Sequence, residues 1–355
     1  MKVSIVKCND YKNCKEKIEK AIDLIGGLEN NFEKVLIKPN VVLPVDSENG
    51  LNTHHLFVKA VIEILKERDI VPMVGDSSIG ASYDSTEKSF KKSGIKDVIK
   101  ETGAVYRNFE KEKFVLKKIP GAKFIGEVEF AEAVLEADFI INLPKLKVHP
   151  LTLYTGAIKN CFGCIKPKNR FKLHLKSKNK VDFINILVDI FSFVKPQLNI
   201  MDGVTAIETS KDFCHGKSKK VGLMLASRDG VSLDFVASKI IGYNPIDIPT
   251  TKNALERKIS ISSPAEIEIV GEKIKNVSVN DFQKYSVNDF WKLNTLLTLN
   301  KDNCKRCELC KRNCPTNAIS MDPYPKFDFR KCNLCYCCLE TCINNAIIPS
   351  HKFVP

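Results

Sequence analysis

Two cysteine runs near the C-terminus share one spacing. They read KDNCKRCELCKRNCPTNAI at residues 301–319 and RKCNLCYCCLETCINNAI at residues 330–347. Four cysteines and the Asn-Ala-Ile that follows them recur at a constant offset of 28 residues, which indicates a duplicated unit. Each half is too short to fold alone without a cross-link or a metal. The two runs therefore predict a small metal-stabilised module.

The spacing Cys-x2-Cys-x2-Cys-x3-Cys resembles the ligand run of two-cluster bacterial ferredoxins. In such a run three cysteines surround one face of a [4Fe-4S] cluster, and the fourth points toward the other cluster. Zinc sites use two pairs of ligands instead of three plus one, which disfavours zinc. We therefore expect two clusters, the first held by Cys304, Cys307, Cys310 and Cys342 and the second by Cys332, Cys335, Cys338 and Cys314. The resemblance implies transfer of single electrons at low potential, in an anaerobic or oxygen-poor cytoplasm.

The composition of the 355 residues is that of a globular protein, with 44% hydrophobic and 27% charged residues. No apolar run approaches the ~18 residues that cross a bilayer, and the N-terminus turns polar before a signal-peptide core could form. We therefore expect a cytoplasmic protein with no membrane association, whose thiols stay reduced. The formal net charge of +13 favours an acidic partner or an anionic ligand.

The rest of the chain alternates short β-branched runs with helical patterns, which predicts an α/β domain with a mostly parallel sheet flanked by helices. We place this domain at residues 1–296 and a small α+β ferredoxin-like domain at 297–355. Residues 104–129 are ambiguous and could form a hairpin. The predicted strands are Val3–Val6, Val35–Lys38, Val71–Val74, Phe139–Asn142, Leu198–Met201 and Val221–Ala226, and the predicted helices are Cys14–Ile25, His55–Glu67, Val181–Phe193 and Val231–Ile241.

Polar residues follow several of these strands, where ligands bind in open α/β sheets. Residues 75–78, Gly-Asp-Ser-Ser, could form an anion nest before a helix. No G-x-G-x-x-G follows a strand and no Gly-Lys-Ser/Thr loop is present, which disfavours a Rossmann dinucleotide site or a P-loop. The alternative for each segment is an ordinary strand-to-helix turn with no ligand.

The densest polar segment is residues 142–164, where lysines could hold a carboxylate or phosphate and a histidine could move a proton. A solvated loop is the alternative. The expected catalytic residues are Lys145, His149, Lys159, Cys164 and His174, and the expected substrate-binding residues are Lys38, Asn40, Asp76, Ser77, Ser78, Lys147 and Asn160.

Three interpretations of Cys161 and Cys164 stay open. They could form a redox dithiol, join Cys214 and His215 in a third metal site, or pack as two separate thiols. Separate packing is favoured.

Basic residues occupy alternate positions from Lys166 to Lys180, and no acid lies between Ile165 and Val181. In an extended conformation they would present one cationic face to a phosphate-bearing substrate or an acidic redox partner. Nucleic acid is disfavoured because only Phe171 could stack on a base. A solvated basic loop is the alternative.

The chain also resembles domain-of-unknown-function family 362 over nearly its whole length. The family implies this architecture and an iron–sulfur protein, and it implies no general reaction. Two departures are Thr53-His54-His55, where the family often has Thr-His-Pro, and residues 209–212, Thr-Ser-Lys-Asp, in place of a loop containing Gly-Pro. The matching motifs are residues 37–40, 52–54, 75–77, 142–149, 156–160, 162–164 and 202–203.

Together these features predict an iron–sulfur oxidoreductase that passes low-potential electrons through two [4Fe-4S] clusters to or from an anionic substrate in the large domain. The alternative is a non-catalytic electron carrier or iron–sulfur scaffold that docks a redox partner protein.

Overall fold

The computed structural model describes residues 1–29, 31–79, 84–210, 216–292 and 294–354. Its strands are β1 (Lys2–Lys7), β2 (Val35–Pro39), β3 (Met73–Asp76), β4 (Val105–Asn108), β5 (Phe114–Lys118), β6 (Glu127–Ala131), β7 (Phe139–Leu143), β8 (Lys145–His149), β9 (Leu153–Thr155), β10 (Leu198–Glu208), β11 (Lys217–Ser227), β12 (Glu268–Gly271), β13 (Asn294–Leu299), β14 (Ile319–Asp322), β15 (Tyr324–Phe327) and β16 (Ile347–Val354). Its α-helices are α1 (Cys14–Asp23), α2 (His55–Lys66), α3 (Ser85–Lys92), α4 (Ile95–Thr102), α5 (Glu132–Glu136), α6 (Ala157–Asn160), α7 (Pro167–Lys176), α8 (Lys180–Val194), α9 (Gly230–Ile240), α10 (Pro249–Glu256), α11 (Ile274–Val277), α12 (Val287–Lys292), α13 (Leu309–Arg312) and α14 (Cys337–Glu340). Short 3-10 turns cover Ser47–Asn49, Cys161–Cys164, Pro245–Asp247 and Pro264–Glu266.

The large domain is built on a ten-stranded sheet whose main path runs β12-β1-β11-β10-β7-β2-β3-β4. Strands β10, β7, β2, β3 and β4 are parallel to one another, and β11 is antiparallel to both of its neighbours. Strand β8 adds to β10 in parallel and turns back into β9. The predicted α/β class with a mostly parallel sheet is confirmed.

Helices cover both faces of this sheet. Helices α1, α2 and α4 pack their apolar stripes on one face, and α6, α8 and α9 pack on the other. Strands β2 and β7 are buried along their whole length, as expected for central parallel strands with helices on both sides. The carboxyl ends of β2, β3 and β7 therefore meet at one edge of the sheet.

All six predicted strands and all four predicted helices are present. Strand β3 begins two residues after the predicted start at Val71, and β10 and β11 are longer than predicted. The ambiguous segment at residues 104–129 forms strands of two different sheets. Strand β4 joins the main sheet, whereas β5 and β6 form a separate hairpin.

The extended conformation considered for residues 166–180 does not occur over residues 167–176, which form helix α7. Pro167 occupies the first helical turn, where proline is favoured, and the helix contains no β-branched residue. The helical period therefore places the basic residues of this segment on different sides of α7. Arg170 and His174 point inward, whereas the lysines on the opposite side are exposed.

The C-terminal module is a duplicated fold in its backbone as well as in its sequence. Strand β13 pairs with β16 and β14 with β15, and each three-cysteine loop leads into a short helix, α13 or α14. The left-handed residues Arg306, Glu308 and Asn317 recur as Leu334, Tyr336 and Asn345 at the same offset of 28 residues. The module packs on the large domain through an apolar cluster that includes Leu151 and residues of α8. Across the described ranges, no helix combines the length and the hydrophobicity needed to span a bilayer.

Candidate functional site

A cavity of about 100 Å³ lies at the carboxyl ends of β2, β3 and β8, between the large domain and the C-terminal module. We call it the anion cavity. Eight of the twelve residues predicted as catalytic or substrate-binding line it, namely Lys38, Asn40, Asp76, Ser77, Lys147, His149, Lys159 and Asn160. These side chains come from four segments of the chain, namely the ends of β2 and β3, strand β8 and helix α6, as expected at the edge of a parallel sheet.

Lys38 and Asp76 form a buried ion pair in the wall of the anion cavity. The ammonium of Lys38 lies 2.8 Å from Asp76 Oδ1, and both side chains are almost fully excluded from solvent. The carboxylate of Asp76 also accepts the backbone N–H groups of Val41 and Ser77. A Cβ at Gly163 would lie 2.2 Å from Asp76 Oδ1, so only glycine fits there. The pair is a rigid part of the scaffold.

The anion nest expected at residues 75–78 is absent from the structure. The N–H of Ser77 donates to Asp76, and the N–H of Ser78 donates to the hydroxyl of Thr86. The hydroxyl of Ser78 donates to the carbonyl of Val41, and Ser78 does not line the cavity. These amides therefore serve the turn and do not face a ligand.

A relay of buried asparagines connects the strand ends. Asn160 Oδ1 accepts from Asn40 at 2.8 Å and from Lys38 at 3.3 Å. Asn160 Nδ2 donates to Asn142, which in turn donates to Asn199. Because each amide has a fixed donor and acceptor end, the relay orients Asn40 Oδ1 toward the ammonium of Lys147.

Lys147 has only neutral partners among the described residues. Its ammonium donates to Asn40 Oδ1 at 2.7 Å and to the carbonyl of Leu51 at 3.2 Å. Burial, together with the nearby cation of Lys159, lowers the pKa of Lys147 to about 7. A bound anion would supply the missing countercharge. The hydroxyl of Thr155, which also lines the cavity, is buried and has no hydrogen-bond partner in the described part of the chain.

His149, Lys159 and Glu340 form a second charged group at the opposite wall. His149 Nδ1 accepts the N–H of Leu151, which places the ring proton on Nε2. Nε2 lies 2.5 Å from Glu340 Oε1, and Lys159 Nζ lies 2.9 Å from Nε2 and 4.0 Å from Oε1. Burial lowers the pKa of His149 to about 4, so the imidazole is neutral at neutral pH. Burial alone would raise the pKa of Glu340, but Lys159 and His149 lower it.

Asp234 fixes the position of Lys159 and Asn160. Its carboxylate accepts the N–H groups of Ala157 at 2.7 Å and Ile158 at 3.0 Å, at the start of α6. Burial raises the pKa of Asp234 to about 7. Asp234 thus anchors the helix that carries two cavity residues.

Arg170 and His174 extend from α7 toward the same region. Arg170 donates to the carbonyls of Ser77 and Ser78 and lines the anion cavity. His174 lies instead in an adjoining cavity with Lys159 and Glu340, where its ring stacks on Phe183. Burial lowers the pKa of His174 to about 4.

The structure places two predicted catalytic residues away from the anion cavity. Lys145 forms a buried ion pair with Asp202 at 2.7 Å. Cys164 and Cys161 are both fully buried, and the thiol of Cys161 donates to the carbonyl of Ala157. Cys214 and His215, proposed as their metal-binding partners, lie outside the described residues.

Glu48, His54 and His55 bring three potential metal-ligand atoms within 4.8 Å of one another. His54 Nδ1 accepts the N–H of Leu56 as the N-cap of α2, so its proton lies on Nε2 and faces Glu48 at 2.8 Å. Coordination through Nε2 would require this proton to move to Nδ1 and would break the cap. We therefore assign His54 to helix capping.

The cysteines of the C-terminal module converge in two groups. Cys304, Cys307, Cys310 and Cys342 line one cavity, so the fourth cysteine of the second run joins the first three of the first run. In the other group, Cys338 lies within electrostatic range of Cys335, Cys332 and Cys314.

Two further features of the module fit iron–sulfur clusters. Cys314 Sγ and Cys342 Sγ each accept a backbone N–H at 3.2 Å, from Ala318 and Ala346. The left-handed residues between the cysteines give the loops the concave amide arrangement that binds clusters. The donor set of thiolates and amides therefore fits [4Fe-4S] binding.

Sequence reasoning missed Glu340 and Arg170 as cavity residues. A signal for Glu340 was available, because the 28-residue offset pairs it with Arg312 and the two halves differ in charge there. Arg170 and His174 are four residues apart, a helical spacing that the alternating lysines obscured.

The chain belongs to the family described as Domain of unknown function (DUF362), whose model matches residues 35–239, more than half of the chain. A 4Fe-4S binding domain matches residues 297–320. The protein therefore binds a [4Fe-4S] cluster through its run at residues 304–314 and takes part in electron transfer.

A curated relative is the "Thylakoid-associated protein sll1697" of Synechocystis sp., 26% identical over 78% of this chain and 88% of the relative. Two solved structures share parts of the fold. The lactate racemase apoprotein from Thermoanaerobacterium thermosaccharolyticum is 10% identical with a TM-score of 0.44 over 65% of this chain. A structural-genomics protein from Thermotoga maritima is 16% identical with a TM-score of 0.39 over 58%. The alignments span 57% and 54% of the length of these two structures.

Proposed function

We propose that the protein is an iron–sulfur oxidoreductase whose C-terminal module holds two [4Fe-4S] clusters and exchanges electrons with a small anionic substrate in the anion cavity. The position of Glu340 is the main support for this proposal. It lies between the cluster ligands Cys338 and Cys342 in sequence, and its carboxylate contacts His149 in the cavity wall. The cluster-binding loop and the anion cavity therefore share a wall.

The charges of the lining support a small anion as the substrate. Lys38 is neutralised by Asp76, and Lys159 lies beside Glu340. Lys147 and Arg170 contact only neutral groups among the described residues, which leaves the cavity with an excess of positive charge. A buried ammonium without a countercharge is costly, and an anion relieves that cost.

The size of the cavity and its unsatisfied hydroxyl narrow the substrate class. The cavity of about 100 Å³ has room for a small ligand. A short carboxylic acid fits this space. Its carboxylate would bind Lys147, and a second oxygen could accept from the Thr155 hydroxyl, which has no partner among the described residues.

Two four-iron clusters, when bound, would supply single electrons at low potential. The chain's own residues would orient the substrate and handle protons. Lys147 and Asn40 would hold the carboxylate, and the ammonium of Lys159 would provide a proton and become a neutral amine. Glu340 holds the neutral His149 in its Nε2–H tautomer. We place this activity in an oxygen-poor cytoplasm, where thiols stay reduced.

The proposal is tested by a potentiometric EPR titration of anaerobically purified protein, with and without short monocarboxylates such as acetate, glycolate, lactate and pyruvate. We expect close to eight irons per chain and a shift in the cluster midpoint potential with at least one of these acids. The shift should be absent in Lys147→Met. Eight irons with no response to any acid would favour the non-catalytic carrier, and about four irons would contradict the two-cluster assignment.

A further inference from the structure

The outer face of α7 carries a stripe of lysines. Lys168, Lys172 and Lys176 are spaced four residues apart, so they lie on one side of the helix, and all three are exposed. Lys178 continues the stripe just beyond the helix and is also exposed. The opposite side of the same helix turns Arg170 and His174 toward the interior.

These four lysines have no salt-bridge partner in the described part of the chain. Like charges four residues apart repel each other and destabilise a helix. No acid between residues 165 and 181 offsets this repulsion. The exposed apolar residues Leu175 and Val181 lie within the same stretch of sequence, 53% and 49% exposed. Exposed lysines around apolar side chains attract an acidic protein partner by charge complementarity.

The stripe ends at the second group of cluster cysteines. A cavity is lined by Lys178 and Lys180 on one side and by Cys332 and Cys335 on the other. The side-chain amide of Asn333, between those cysteines, donates to the carbonyl of His174 at 3.0 Å. A protein that covered the stripe would therefore lie against the loop that binds this cluster.

We propose that this surface, Lys168, Lys172, Leu175, Lys176, Lys178 and Val181, docks an acidic single-electron carrier protein of the flavodoxin or ferredoxin class. The inference rests on the second cluster of the proposed function and is independent of the anion cavity. One electron would pass from the reduced carrier to the cluster site at Cys332, Cys335 and Cys338. The carrier would be oxidised by one electron, with no bond made or broken.

Charge and position together favour a redox protein over the other polyanions that lysines attract. Nucleic acid would require stacking side chains, and Phe171 is half-buried among the lysines. An anionic lipid surface would need a broader apolar face than two residues. Neither polyanion explains why the stripe ends at cluster cysteines.

The test measures binding of oxidised flavodoxin to the full-length, cluster-loaded protein by isothermal titration calorimetry at 50 and 300 mM NaCl. The wild-type affinity should fall about tenfold or more over this range, as expected for charge-steered docking. The triple variant Lys168→Glu, Lys172→Glu and Lys176→Glu should lose about tenfold or more of the low-salt affinity and most of the salt dependence.

A matched control reverses three exposed lysines elsewhere, Lys12, Lys239 and Lys275, and so has the same net charge. It should change the affinity less than about threefold. Iron content and circular dichroism verify that both variants are folded. Equal loss in the two triple variants, or no loss in either, would overturn the proposal. Loss of binding to phosphatidylglycerol vesicles or to an oligonucleotide, with flavodoxin binding retained, would also overturn it. Because no carboxylic acid is present, these results do not depend on the anion cavity.

Discussion

Lys145 and Lys147 lie two residues apart on β8, yet their surroundings give them opposite roles. Both side chains are buried, and the strand period of two places them on the same face. Lys145 contacts the carboxylate of Asp202, which is itself held by Tyr11 and the N–H of His54. Among the residues that the structure describes, Lys147 donates hydrogen bonds only to an amide oxygen and a carbonyl.

The role of a buried lysine depends on whether a carboxylate lies beside its ammonium. A lysine with a buried carboxylate is already neutralised and belongs to the scaffold. A lysine with neutral acceptors can lose its proton or acquire an anion, and burial already lowers the pKa of Lys147 to about 7. Three predictions test this distinction.

The largest expected effect is on stability at Lys145. Lys145→Met should reduce the free energy of unfolding by about 3–5 kcal/mol, because Asp202 would remain as a buried charge without a countercharge. Anaerobic urea unfolding measures the change. The double variant Lys145→Met, Asp202→Leu should recover most of the loss, since it removes both charges. A loss below about 1 kcal/mol in the single variant would contradict the assignment of Lys145 to the scaffold.

The next effect is on binding at Lys147. Lys147→Met should not reduce the free energy of unfolding at pH 7, since burial disfavours the ammonium that the substitution removes. Affinity for the short carboxylate identified by the EPR titration should fall about 10- to 100-fold, the value of a charge-assisted contact. Calorimetric titration measures it. Unchanged affinity would remove Lys147 from the binding site.

A third effect is the pH dependence that Lys147 confers on stability and on binding. Its pKa falls from 10.5 to about 7 on folding, so between these values the unfolded chain holds a proton that the folded chain has lost. The contribution of Lys147 to the free energy of unfolding should therefore rise with pH across this window. Anion affinity should instead fall as pH rises above about 7. Unfolding and binding series in wild type and Lys147→Met measure both trends, and identical slopes would contradict the assignment.

Much of the fold could be predicted from the sequence because its signals are local. Central strands such as β2 and β7 are continuous apolar runs, and the helices that cover them carry apolar residues at helical spacing. The pairing of Cys342 with the first cysteine run follows from the ferredoxin spacing alone. These patterns depend on near neighbours in the chain.

The remaining features depend on distant segments. Nothing near Lys145 in the sequence indicates Asp202 as its partner, and nothing near Lys38 indicates Asp76 as its partner. The helix at residues 167–176 was missed because alternating lysines imitate a strand, while Pro167 and the lack of β-branched residues were the better signal. Glu340 reaches the cavity only through the docking of the module.

The charge difference between the two halves of the C-terminal module favours one orientation of the module on the large domain. The 28-residue offset places Arg312 in the first half where Glu340 stands in the second. If the pseudo-symmetric module were turned around, a guanidinium would meet Lys159 and His149, and like charges would repel. The difference between Arg312 and Glu340 at equivalent positions therefore selects one docking orientation of the duplicated unit. The two halves are no longer interchangeable, and neither can be replaced by a copy of the other.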